Sequence, residues 1–236
     1  MIPVIFALLL LVASGSIFFI GPASNQDIFV TIDVHPESSS QELQVIKDIL
    51  LRHNVSATFF ITSNWALNNT NITADIVQNF EIACLGVNGS RLALLQEDAL
   101  QEEVLGCVRY FEEQEIVVQG FRALNRDINK QVQELLLENN LYDSSTYQRY
   151  TWFWEKTPLL QTHPISATGL IPLDDRIFSI FRHNSPFYFL ARQSRQDDLL
   201  IAMNTNTIAP FELDYLLAYY NYHEASFYEL REKTWS

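Results

Sequence analysis

From Ile28 onward, short runs rich in β-branched and aromatic residues alternate with stretches of helical period, and that alternation leaves few folds open. The first run, Ile28-Phe29-Val30-Thr31-Ile32-Asp33-Val34, is bounded by Pro36 and a serine cluster and predicts a buried strand. Ser38 to Ser40 offer an N-cap for a helix with Leu43, Ile46, Ile49 and Leu50 on one face, and Ser56 to Ile61 reads as the next strand. The pattern continues with a helix near Thr73 to Phe80 and a strand from Glu81 to Leu85. A long helix then carries one stripe of Leu100, Val104, Cys107, Val108 and Phe111. Further strands are expected over Ile116 to Arg122, Leu141 to Ser145 and Asp198 to Met203, with a helix capped by Asp127 running to about Asn139 and a last helix from about Phe211. Strands alternating with helices imply an α/β fold with a parallel sheet covered by helices. With no domain-breaking linker, such a sheet can close into a barrel with its functional groups at the C-terminal strand ends. The irregular stretch from about Tyr147 to Ser185 reads as loops over the mouth of that barrel.

Alternate residues of a strand face opposite ways, which places Val30, Ile32 and Val34 toward the helices and Thr31 and Asp33 toward the interior. By the same parity Cys84 faces the helix layer if Leu85 faces inward, and Cys107 lies on the apolar stripe of the following helix. The two cysteines are therefore a disulfide candidate worth roughly 3 kcal/mol in an oxidising compartment; the alternative is a pair of buried thiols.

The N-terminus has a different character. No Asp, Glu, Lys, Arg or His occurs from Met1 to Gln26, and Ile2 to Ile20 is apolar apart from Ser14, Gly15 and Ser16. About 19 helical residues reach ~28 Å, close to a ~30 Å hydrocarbon core. Residues 1–26 are thus read as a signal-anchor crossing a membrane through residues 2–20, or as a cleaved signal peptide, followed by one domain over 27–236. Both readings put that domain outside the cytoplasm, membrane-anchored or secreted. The sequons Asn54-Val55-Ser56, Asn68-Asn69-Thr70, Asn71-Ile72-Thr73 and Asn88-Gly89-Ser90 fit an exported domain open to N-glycosylation. With 28 acidic against 15 basic residues the net charge is −13, which disfavours nucleic acid and anionic lipid surfaces as partners and leaves uncharged glycans open.

Several segments, in order, resemble the polysaccharide deacetylase family, also called carbohydrate esterase family 4 or the NodB-homology family. They are Thr31-Ile32-Asp33-Val34, Ala57-Thr58-Phe59-Phe60, Glu81-Ile82-Ala83-Cys84 and Gly120-Phe121-Arg122-Ala123, then Trp154-Glu155 through Pro164-Ile165, Leu170 to Asp175, and Pro210-Phe211-Glu212-Leu213. The resemblance implies a deformed (β/α) barrel and an ancestry in glycan N-deacetylation. In that chemistry a divalent metal polarises the acetamide and activates water, a carboxylate acts as base, and a His protonates the leaving amine. Asp33 matches the base, and Arg122 matches the Arg that orients it. The positions aligned with the two metal-binding His are Leu85 and Gly89, and the one aligned with the metal-binding Asp is Val34. Ala209 stands where the acid His would precede Pro210, and Leu124 replaces a proline of the third motif.

The expectation is therefore a pseudoenzyme: a barrel without metal or other cofactor, kept for glycan binding or as a subunit of a membrane or cell-surface assembly. Asp33 and Arg122 remain as remnants or as a plain ion pair. Trp152 and Trp154 offer stacking faces for sugar rings or pack within the loops. The alternative is a carbohydrate N-deacetylase with a rebuilt site, in which His35, Glu37, His163 or His183 joins Asp33 to hold a divalent metal such as zinc. The aromatic C-terminal segment, with Tyr215, Tyr219, Tyr220, Tyr222, Phe227, Tyr228 and Trp235, suits protein contact, glycan stacking or packing of an end helix.

Overall fold

The computed structural model describes residues 26–124, 126, 128–145 and 198–232, together with the backbone of 167–168 and 171–172. In chain order the elements are β1 (Asp27–Val34), α1 (Ser40–Arg52), β2 (Ala57–Ile61), α2 (Ser63–Asn68), α3 (Thr70–Val77), β3 (Glu81–Cys84) and α4 (Glu97–Glu113). There follow β4 (Gly120–Phe121), α5 (Lys130–Glu138), β5 (Tyr142–Asp143), β6 (Ala167–Thr168), β7 (Ile171–Pro172), β8 (Asp198–Asn204), α6 (Pro210–Tyr222) and β9 (Ser226–Phe227). The main sheet runs β5-β4-β3-β2-β1-β8, every neighbouring pair parallel, and curls into a half-barrel under a layer of helices. Strands β6 and β7 form a separate antiparallel pair.

The side-chain parity expected for β1 is what is found. Val30, Ile32 and Val34 join the large core between sheet and helices, with Leu43, Ile46 and Leu50 of α1 and Leu100, Val104, Cys107 and Phe111 of α4. The concave face has its own smaller core of Phe29, Phe60, Ala83, Leu85, Leu200, Ala202 and Leu230. Helix α1 starts where its cap chemistry places it: the Ser39 side chain accepts from the Glu42 amide, and Asn54 ends the following turn in the left-handed region at φ 53°.

Several boundaries differ from expectation. The helix expected at Thr73–Phe80 lies at Thr70–Val77, preceded by the unforeseen short helix α2. The strand expected over Ile116–Arg122 is found only as Gly120–Phe121, with Phe121 opposite Cys84 of β3. Asn129, not Asp127, caps α5, its side chain accepting from the Val132 amide at 3.0 Å; residue 127 lies outside the described residues. So do residues 1–25 with the expected membrane segment, Trp152, Trp154, His163, His183 and Trp235. Among the described residues no helix is long and apolar enough to cross a membrane.

The C-terminal segment closes the floor of the half-barrel. β2 leaves the first residues of β1 unpaired on one edge, and β9 takes that edge, opposite Asp27 and Ile28. Leu230 then enters the concave core, its amide donating to Thr58 Oγ1 at 2.9 Å, while the Arg231 amide donates to Glu81 Oε2 at 3.2 Å. Glu81 also accepts from Thr58 Oγ1 at 2.5 Å and, through Oε1, from the Tyr142 hydroxyl at 2.9 Å. The Tyr142 ring stands against Gly120, where a β-carbon would come within 2.0 Å of it, so only glycine fits that position of β4.

Burial raises the Glu81 carboxyl above the usual carboxylate range, against the opposing effect of its hydrogen bonds. Burial likewise raises Asp143, whose Oδ1 accepts from the Ser145 amide while Oδ2 has no hydrogen-bond partner among the described residues. A carboxyl whose folded pKa exceeds its unfolded one stabilises the fold fully below the unfolded pKa, and that contribution is lost as pH rises through the folded value. Both groups therefore make the protein more stable in mild acid than at neutral pH. In calorimetry the unfolding midpoint should climb as pH falls from 8 toward 5, and Glu81→Gln combined with Asp143→Asn should flatten the climb. A midpoint that falls steadily over that range would refute this assignment.

Candidate functional site

At the C-terminal end of the sheet, β1 directs Asp33 into the concave face, where its side chain is 1% exposed. Its backbone carbonyl accepts from the Thr205 amide at 3.1 Å and from Thr205 Oγ1 at 3.2 Å, which ties β1 to the end of β8. Its carboxylate meets two guanidinium groups. Arg122 Nη1 donates to Oδ1 at 2.7 Å, and Arg126 Nη2 donates to Oδ2 at 3.1 Å.

Arg122 follows β4 and is fully buried. Its guanidinium is satisfied along every edge: Nε donates to the Ser144 carbonyl at 2.9 Å, Nη2 to Ser144 Oγ at 2.7 Å, and Nη1 also to Thr31 Oγ1 at 2.8 Å. Its plane lies over the Phe60 ring, 4.0 Å from the centroid, as suits a weakly hydrated delocalised cation. Arg126 arrives from a left-handed residue at φ 57°, with its amide bonded to the Ala123 carbonyl. The Asp33–Arg122 pair was legible in the sequence. Arg126 was not, since a residue on an irregular loop has no period that assigns it a face.

The loop after β3 is the segment that the family resemblance aligns with two metal-binding His. Leu85 points into the concave core. Gly89 sits at φ +71°, and a β-carbon there would come within 2.6 Å of Leu124 Cδ2, so Leu124 fills the space a side chain at 89 would use. Gly86, at φ +99°, faces Glu103 of α4 as closely. Glu103 is the post around which the loop turns: Oε1 accepts from the Asn88 amide at 2.9 Å and the Ser90 amide at 3.0 Å, and Oε2 accepts from Ser90 Oγ at 3.1 Å. One turn along the same helix, Cys107 is disulfide-bonded to Cys84, with a Cα separation of 6.1 Å.

The other aligned positions offer no donor either. Val34 is packed in the outer core, and Ala209 is the N-cap of α6, packed against that same core. On the rim, His35 bonds the Asn204 side chain through Nε2, and its Nδ1 lies 3.4 Å from Glu37. Among the described residues no three His, Cys, Asp or Glu side chains converge on a point that would hold a metal ion. The described residues of the mouth are two arginines on one aspartate with Leu85 and Leu124 beside them.

All four sequon asparagines are exposed. Asn54 lies in the turn between α1 and β2. Asn68, Asn71 and Asn88 lie at or beyond the C-terminal strand ends, where Asn64 bonds to both Asn68 and Asn88.

The chain can now be set beside known proteins. No curated protein matches it. It is similar in structure to a CE4 family pseudoenzyme from Bacillus anthracis, at 15% identity and a TM-score of 0.69, covering 88% of this chain and 65% of that one. A mutant of a CE4 family pseudoenzyme with restored enzymatic activity gives 16% identity and a TM-score of 0.68, over 88% of this chain and 67% of the other. The chain thus spans about two thirds of the length of these structures. A family 4 carbohydrate esterase from Streptomyces lividans in complex with acetate gives 12% identity and a TM-score of 0.65, over 87% of this chain and 93% of that one. At these identities the likeness is one of fold. The sequence profile of the family described as Polysaccharide deacetylase matches residues 21–142, slightly more than half of the chain, and the chain belongs to that family.

Proposed function

We propose that this is a non-catalytic member of the polysaccharide deacetylase family, a barrel retained to bind glycan or to serve in a cell-surface or membrane assembly, and held outside the cytoplasm by its N-terminal segment. The observation that carries this reading is the state of Asp33. A general base must reach a water or substrate proton with a free lone pair. Both oxygens of Asp33 are taken by guanidinium groups, and the side chain is almost wholly buried. The similarity to CE4 pseudoenzymes supports the same reading.

A glycan role draws support from an open cleft of about 500 Å³ between α1 and the α2–α3 corner. It is lined by uncharged polar side chains, among them Gln41, Gln44, Asn68, Asn69, Thr70 and Asn71, which suit a neutral hydroxyl-rich ligand rather than an ionic one. A rebuilt deacetylase is less well supported, because His35, the candidate imidazole among the described residues, is engaged with Asn204.

The test is acetate release by the full chain from acetylated chitooligosaccharides with zinc or cobalt supplied. Release should not exceed the protein-free blank. Release above the blank that Asp33→Asn abolishes would overturn the proposal.

A further inference from the structure

Helix α6 has two apolar faces. Leu213, Leu216, Leu217 and Tyr220 are buried against the domain. On the opposite side Phe211 is 79% exposed, Tyr215 56% and Tyr222 83%, with Ala218 also exposed between them. At 100° per residue these four positions fall within an arc of about 60° and extend ~17 Å along the helix.

We propose that this stripe is the contact through which two copies of the chain associate, α6 against α6 in antiparallel orientation. The spacing four, three, four reads the same in both directions, so one two-fold register satisfies the whole stripe. Phe211 lies opposite Tyr222 of the second copy, and Tyr215 opposite its Ala218, a large side chain meeting a small one twice over. In that register the flanking acids do not oppose each other: Glu212 faces Asn221 of the second copy, and Asp214 faces its Tyr219. Asp214 is in addition paired within its own chain with Arg52 at 3.0 Å and hydrogen-bonded to His53 at 2.7 Å. This absence of acid facing acid matters in a chain of net charge −13, for which most surfaces would repel a second copy.

The area sets the strength. With 150–250 Å² for a whole aromatic side chain, the stripe offers roughly 500 Å² per copy. The total of about 1,000 Å² stands at the lower limit of specific interfaces, so the dimer should be weak and concentration-dependent. The isologous arrangement is the ordinary one for a two-fold pair.

The full chain, purified in neutral detergent, should show a monomer–dimer equilibrium by sedimentation, and Phe211→Ser with Tyr222→Ser should weaken it at least tenfold without lowering the unfolding midpoint. The register is tested by a cysteine pair that keeps Phe211 and Tyr222: Tyr215→Cys with Ala218→Cys in one chain should give a disulfide-linked dimer under mild oxidation, and Tyr215→Cys alone should not. A chain monomeric at all concentrations overturns the proposal. So does a dimer that survives the serine variants, since another surface then holds it, or a loss of phosphatidylcholine vesicle binding in those variants without any change in mass, since a bilayer is then the occupant.

Discussion

Replacing Arg122 with leucine should cost about 3–5 kcal/mol of unfolding free energy, because it leaves Asp33 Oδ1 and the Ser144 acceptors without their donor in a buried site, with Arg126 alone holding the carboxylate. For a domain of this size each kcal/mol moves the midpoint by about 2–4 °C, so a fall of roughly 10 °C is expected. Arg122→Lys should recover little, since an ammonium cannot present the planar fork that reaches Ser144, Thr31 and Asp33 at once. The informative comparison is the double variant. Removing Asp33 and Arg122 together, as Asp33→Leu with Arg122→Leu, should cost clearly less than the two single losses added, because the single changes break the same buried Asp33–Arg122 contact and each leaves one partner short of it. Urea denaturation of the four proteins measures the coupling. A cost below about 1 kcal/mol for Arg122→Leu would mean that the pair is solvated and that the mouth is more open than this geometry shows.

That expectation separates two roles for one pair of residues. In the family resemblance the Arg orients a base, so its loss is read first in turnover. In this chain Arg126 completes the enclosure of Asp33, and the loss of Arg122 is read first in stability. The sequence alone carried half of this argument. Strand parity placed Asp33 on the concave face and Val34 against the helices, because burial on both faces of β1 leaves a single register that satisfies both. The pairing of Cys84 with the stripe of α4 followed from the same alternation.

What was not legible is what depends on contacts distant in sequence. The strand expected from Ile116 is only two residues long, and its pairing with β3 at Cys84 is a contact that no local pattern reports. Helix α2 has six residues, too few to show a period, and its Trp65 is fixed by a bond from its indole to the Ser38 carbonyl. Leu124 could be seen to replace a proline, but that it fills the space over Gly89 appears only when the loop is folded. The concave core likewise depends on Leu230, carried there by a C-terminal segment whose strand is two residues long.

The disulfide has the second large expected effect. Cys84→Ala with Cys107→Ala should lower stability by about 3 kcal/mol, the loss in the chain-entropy account for a loop closed over 23 residues. Two side chains of α4, one turn apart, hold the end of β3 and the loop beyond it: the bridge at 107 and the carboxylate at 103. They act on different states. The bridge restricts the unfolded chain, so its removal should lower the global midpoint and leave the native loop in place. Glu103 satisfies two amides and a hydroxyl of the folded loop, so Glu103→Ala should open residues 86–90 locally. Hydrogen exchange resolves the two. The Asn88 and Ser90 amides should lose protection in Glu103→Ala at denaturant concentrations where the β1 amides remain protected, whereas the cysteine variant should shift both sets together. If Asn88 and Ser90 keep their protection without Glu103, the loop is held by the packing of Leu85 and Leu124 rather than by the carboxylate.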